Sequence, residues 1–207
     1  MSQFQFVLSL LDYAAVFVFA ATGALAAARR GHDIITFGFF AAVTGVGGGT
    51  LRDLLMGVPV FWVRHAEPLV MCLGAAVAIW IFGMGRFRER VLTWLDALGL
   101  SAYAVIGAAK ALDLGLSPLV AIVMGVLTAT FGGIIRDTLD QQPSALQKRE
   151  IYVTAAVAGA AVFVLLTLVR LPVLPAGLIG FAVALTLRAA AIVFALTLPS
   201  FGRRAEG

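Results

Sequence analysis

The sequence predicts an all-α integral membrane protein of seven transmembrane helices, arranged as two inverted three-helix repeats plus a seventh helix. Three observations carry this. Hydrophobic residues make up 61% of the 207-residue chain against 13% charged, with a mean hydropathy of +1.02, more apolar surface than a soluble domain of this size could cover with polar groups. The apolar residues gather into seven runs of spanning length. The first three runs also match the next three without a gap.

The runs cover about residues 4–28, 34–57, 67–85, 91–112, 116–140, 150–171 and 175–199, each near the ~20 residues that cross a ~30 Å hydrocarbon core. They are continuously apolar and rich in Ala, Leu and Gly, without the alternation of barrel strands, so helices are expected. The start, MSQFQFVLSLLDY, lacks a basic n-region and is expected to remain as the first span. The single cysteine, Cys72, has no internal partner and reads as a small apolar residue.

Orientation follows from the basic residues at alternating connections. One side collects nine (Arg29, Arg30, Arg86, Arg88, Arg90, Lys148, Arg149, Arg203 and Arg204) and the other four (Arg52, Arg64, Lys110 and Arg170). The richer side predicts the cytoplasm. The N-terminus is then outside and the C-terminus cytoplasmic, in a multi-pass protein of the cell inner membrane. The pI near 9.8 reflects this topology and contact with membrane lipids, and no nucleic-acid partner is expected. Lys110 is expected to snorkel, Phe61 and Trp62 to join an interfacial belt, and His65 to lie exposed in a loop.

Shifting the sequence by 84 positions superimposes Leu11-Asp12 on Leu95-Asp96, Gly23-Ala24 on Gly107-Ala108 and Gly31 on Gly115. Thr44 then meets Thr128, Gly48-Gly49 meets Gly132-Gly133, Arg52-Asp53 meets Arg136-Asp137, and Pro59 meets Pro143. A register that includes rare intramembrane charges marks a duplication. Three spans is an odd number, so the second copy enters from the opposite side, around a pseudo-two-fold axis in the membrane plane. The expected units are 1–90, 91–172 inverted, and 173–207 for the seventh helix and tail.

The duplicated element is GGGTLRD in span 2 and FGGIIRD in span 5. Adjacent glycines weaken a helix by roughly 0.5–1 kcal/mol each and favour a kink or close approach. An Arg or Asp at membrane depth costs about 2.5–3.5 kcal/mol and turns toward protein or water. Breaks in both spans would free backbone groups, which membranes tolerate only inside protein or along a watery cavity. This predicts a polar path lined by Thr44, Gly47, Thr50, Thr128 and Thr130, with Arg52, Asp53, Arg136 and Asp137 setting its field. For each threonine, a hydroxyl bonded back to the i−4 carbonyl is an equal alternative. Neighbours on a helix point about 100° apart, so Arg52 is expected to pair with Asp12, which has a similar depth, and Arg136 with Asp96.

GVGGGTLRDLLMGVPVFWVR, its partner FGGIIRD and the seven-span plan resemble the prokaryotic trimeric intracellular cation (TRIC) channels, a domain family also labelled as a glycine transporter. The likeness covers about residues 10–198. It implies a homotrimer with one pore per subunit, lined by kinked spans 2 and 5 and passing monovalent cations, chiefly potassium. It also places the pore glycines at Gly47, Gly48, Gly49, Gly132 and Gly133. The basic loop run of the animal members has no match here. The alternative is an alternating-access carrier of a small amino acid such as glycine, with the same repeats and a midplane site. No enzyme, cofactor or bound metal is expected: the two histidines lie near loops, and no nucleophile–base pair or ligand cluster sits at membrane depth.

Overall fold

The computed structural model describes residues 3–82, 85, 88–142 and 151–197, with side chains from residue 12 onward, Arg88 excepted. Arg86, Pro143, Lys148, Arg149, Arg203 and Arg204 lie outside the described residues. The elements are α1 (Gln3–Arg29), α2 (Ile34–Leu55), α3 (Phe61–Arg64), α4 (Glu67–Phe82), α5 (Arg88–Asp113), α6 (Pro118–Leu139), α7 (Val153–Leu168) and α8 (Val173–Phe194). The protein is an all-helical membrane protein. Helices α1, α2, α5, α6 and α8 are long and apolar enough to cross a bilayer, whereas α4 and α7 are apolar but shorter, at 16 residues each.

Helix boundaries follow local chemistry. Asp33 caps α2 by accepting a hydrogen bond from the Thr36 amide at 2.9 Å, which holds its carboxyl below the ordinary carboxylate range. Ser117 caps α6, with Pro118 at the first helical position, where a missing N–H costs nothing. The turns α1–α2 and α5–α6 carry Gly31 at φ +66° and Gly115 at φ +74°, left-handed positions that glycine adopts without a Cβ clash.

Within the first half α1, α2 and α4 pack on one another, and within the second α5, α6 and α7 do the same. The halves meet through α2 against α6 and α1 against α5, while α8 lies on α5 and α7. Small residues permit close packing in the bilayer: a Cβ on Gly159 of α7 would lie 2.7 Å from Ala184 Cβ of α8, and one on Gly180 2.8 Å from the Gly159 carbonyl. Large apolar side chains such as Ile35, Phe82, Leu119 and Phe194 point outward. At one end, Asp140 after α6 accepts from Arg29 Nη1 at 3.3 Å and Arg30 Nε at 3.1 Å, and Arg29 also pairs with Glu89. The end of α1 is thus tied to both α5 and α6.

Candidate functional site

Helices α2 and α6 cross at their glycine motifs, and the contacts come in pairs 84 residues apart. A Cβ added to Gly48 would collide with the Thr128 carbonyl, and one added to Gly132 would lie 2.5 Å from the Thr44 carbonyl oxygen. Likewise a Cβ on Gly23 would lie 2.7 Å from Thr44 Oγ1, and one on Gly107 2.6 Å from Thr128 Oγ1. Gly47 also faces α6, 3.0 Å from Ile135 Cδ1 by the same construction. Glycine is required at Gly48 and Gly132 because backbone, which cannot step aside, occupies the Cβ position.

The expected helix breaks are absent. Both α2 and α6 run as uninterrupted α-helix through their glycines. The hydroxyls of Thr50, Thr128 and Thr130 bond back to the carbonyls of Val46, Met124 and Val126 at 2.7, 2.6 and 2.9 Å. With both helices continuous, glycine serves close approach here. The crossing is tightly packed, with Thr44, Gly48, Gly49, Thr130, Gly132 and Gly133 buried and Gly47 and Thr50 partly so.

The charges form two clusters, one on each side of the crossing. In the first, Arg52 Nε lies 2.8 Å from Asp53 Oδ1, and Lys110 Nζ of α5 lies 2.8 Å from the same oxygen. Asp53 Oδ2 accepts from the Phe61 amide at 3.0 Å. Arg52 and Asp53 are buried, and the Arg52 guanidinium stands 5.8 Å from the centre of the Phe61 ring. Two expectations need correction. Arg52 pairs with its neighbour Asp53 and makes no ion pair with Asp12, because the three-methylene arginine stem bridges the angle between adjacent Cβ directions. Lys110 does not snorkel away but turns inward to the buried Asp53 carboxylate. Asp12 lies within electrostatic reach of Arg52, Lys110 and Asp53, yet its buried Oδ1 has no hydrogen-bond partner among the described residues.

The second cluster repeats the motif geometry. Arg136 Nε lies 2.9 Å from Asp137 Oδ1 and Nη2 2.8 Å from it. Arg136 Nη1 meets Asp96 Oδ1 at 2.7 Å and also donates to Thr22 Oγ1 of α1 at 3.0 Å. Tyr152 donates from its hydroxyl to Asp96 Oδ1 at 3.5 Å, and the Arg188 guanidinium of α8 stands 5.1 Å from the Tyr152 ring centre. Counting formal charges among the described residues, Arg52 and Lys110 offset Asp12 and Asp53, and Arg136 and Arg188 offset Asp96 and Asp137. Each cluster is neutral as a whole, the condition under which buried charge is tolerable.

Several of these groups escape a reading of the sequence. Arg188 is an intramembrane cation in AVALTLRAAAIVF, a signal passed over because it lies outside the duplication. Thr22 and Tyr152 carry no signal beyond their polarity. Phe61 and Trp62 pack back on α2 through α3: a Cβ on Gly49 would lie 2.7 Å from Phe61 Cε1, and Trp62 Nε1 donates to Thr50 Oγ1 at 2.8 Å. Thr50→Val should therefore orphan a partly buried indole N–H and cost about 0.5–1.5 kcal/mol, read as a lower thermal midpoint in detergent. An unchanged midpoint would show that the α3–α2 contact is incidental. His65 is exposed, 4.0 Å from Glu67.

Comparison with known proteins agrees with the duplication. A family model described as Glycine transporter matches residues 9–84 and again 93–167, so the two matches begin at the 84-residue spacing that aligns the motifs. The chain is similar to the UPF0126 inner membrane protein YadS of Escherichia coli (35% identical over 201 residues, 95% of this chain and 97% of that one). It is also similar to a UPF0126 membrane protein of Vibrio cholerae (36% over 197 residues, 94% and 82%). Among solved structures it superimposes on the TRIC trimeric intracellular cation channel orthologue from Rhodobacter sphaeroides with 49% identity and a TM-score of 0.89, covering 92% of this chain and 99% of that one. A prokaryotic TRIC channel in 0.5 M KCl matches with 25% identity and a TM-score of 0.87, over 94% and 100%. These solved neighbours are channels. With one family model matched in each half and a TRIC channel orthologue superimposing over almost its whole length, the chain belongs to the TRIC channel family.

Proposed function

We propose that the protein is a homotrimeric, potassium-preferring monovalent cation channel of the cell inner membrane, with one path in each subunit. The path runs past the crossing of α2 and α6, flanked by α1 and α5, and potassium is its permeant ion. The observation that carries this reading is the pair of charge-balanced ion clusters, Arg52 and Lys110 with Asp12 and Asp53, and Arg136 and Arg188 with Asp96 and Asp137, placed on either side of a crossing made by duplicated glycines. Carboxylates beside each arginine cancel its field, which answers the apparent conflict between arginine and a cation path.

The reading treats 1–90 and 91–172 as inverted copies with α8 added, seven crossings in all, N-terminus outside and C-terminus cytoplasmic. Paired contacts at Gly48/Gly132 and Gly23/Gly107 support the two-fold relation, and the trimeric neighbours support the assembly. No cofactor is called for. The family model's description favours one second reading, a glycine carrier. Planar-bilayer recording of the purified protein under a potassium/sodium gradient separates the two. Unitary currents reversing near the potassium potential are expected, whereas glycine uptake with counterflow and no unitary current would overturn the channel.

A further inference from the structure

Between the two ion clusters lies an aromatic contact. Phe19 of α1 and Tyr103 of α5, which are 84 residues apart, stack with ring centroids 5.3 Å apart and an interplanar angle of 22°. Both are buried, at 1% exposure. Their positions along the helices are informative. On α5, Asp96, Tyr103 and Lys110 recur every seventh residue, and seven residues fall about 20° short of two full turns, so all three share one face at steps of ~10 Å. Asp96 at one end of that stripe touches Arg136, and Lys110 at the other touches Asp53. On α1, Asp12 and Phe19 have the same spacing.

The stripe is therefore ionic, aromatic, ionic. The aromatic step also reaches the crossing helices. The Phe19 ring fills the space left by two glycines: a Cβ on Gly99 of α5 would lie 2.7 Å from Phe19 Cδ2, and one on Gly132 of α6 would lie 3.7 Å from Cδ1. Tyr103 donates from its hydroxyl to the Gly45 carbonyl of α2 at 3.3 Å. All four helices of the proposed path meet on this pair.

We infer that the Phe19–Tyr103 stack is the gate of the path. It is an apolar plug at which a hydrated cation is stopped for want of water, and it must part for conduction. The inference rests on the cation path proposed above. Withdrawal of the rings would join the two polar ends and uncover the Gly45 carbonyl as a ligand for the passing ion.

The test is potassium efflux from liposomes holding the purified wild type, Phe19→Ala, Tyr103→Phe and Phe163→Ala, with single-channel recording of each. Phe163 is an equally buried aromatic of α7 away from the stripe. Phe19→Ala should raise efflux about tenfold, through open probability, with unitary conductance no smaller than wild type. Tyr103→Phe keeps the ring but loses the Gly45 bond, and should raise open probability about two- to fivefold. Phe163→Ala should match wild type. Where Phe19→Ala does not fold, Phe19→Leu with Tyr103→Phe decides the matter by the same direction of change. A conducting wild type with no rise in the Phe19 and Tyr103 variants, or an equal rise in Phe163→Ala, would overturn the gate while leaving the path intact. Absence of current and efflux in every form would instead remove the path, and the gate with it.

Discussion

Arg136→Ala is expected to lower the stability of the fold by about 3–5 kcal/mol, because it leaves Asp96 and Asp137 buried with their shared cation gone. Arg136 is 3% exposed and is held by Asp96, Asp137 and Thr22. At about 2–4 °C per kcal/mol for a chain of this size, the thermal midpoint in detergent should fall by roughly 6–20 °C. Arg136→Lys keeps the charge but not the fork that reaches two carboxylates and a hydroxyl, so it should recover part of the loss. Adding Asp96→Asn to Arg136→Ala removes one stranded charge and should be less harmful than the single change, a non-additivity expected only of groups in direct contact. A midpoint for Arg136→Ala within a degree of wild type would show that the cluster holds nothing together. If the variant survives extraction, its currents carry the second readout. Altered conductance or gating is expected, and unchanged currents in both Arg136→Ala and Asp137→Asn would take the cluster off the path.

The parts of this molecule that can be read in the chain are those where a rare residue recurs. Arg52-Asp53 and Arg136-Asp137, the paired glycines and the turn glycines Gly31 and Gly115 keep one register, because two copies of one unit face similar packing demands. Ion-pair partners are harder to read. Cβ directions separate Arg52 from Asp53 by about 100°, yet the side chain is long enough to curl back onto its neighbour. The destination of Lys110 depends on how α5 leans against the end of α2, a tertiary fact that no local pattern holds. The glycine runs predict a broken helix beside a polar path, with close crossing as the alternative, and the uninterrupted α-helix through both runs decides for the crossing. Phe19 and Tyr103 look like ordinary core aromatics until the halves are superimposed, when they become equivalent positions facing each other. Arg188 could be seen in advance as a cation at membrane depth, but its partner Tyr152 could not.

Gly48→Ala and Gly132→Ala should each destabilise the protein by about 1–3 kcal/mol, the cost of forcing an extra methyl into a packed core. The reason is geometric. At both positions the nearest atom to the new Cβ is a backbone carbonyl, that of Thr128 or of Thr44, and moving it means sliding a whole helix. Helix propensity pulls the other way, since alanine is favoured over glycine by roughly 0.5–1 kcal/mol in a helix interior, so a net loss measures the crossing and not the helix. Gly74→Ala supplies the contrast. A Cβ there meets nothing within 4 Å among the described residues, and the same substitution should be neutral or raise the midpoint. Because Gly48 and Gly132 touch opposite partners across one crossing, a first substitution that pushes the helices apart makes room for the second. The double variant should therefore cost less than the two single losses combined. Thermal unfolding of the four variants beside wild type decides it: strict additivity would mean that the two contacts yield independently, and single variants no worse than Gly74→Ala would mean that α2 and α6 do not need to touch.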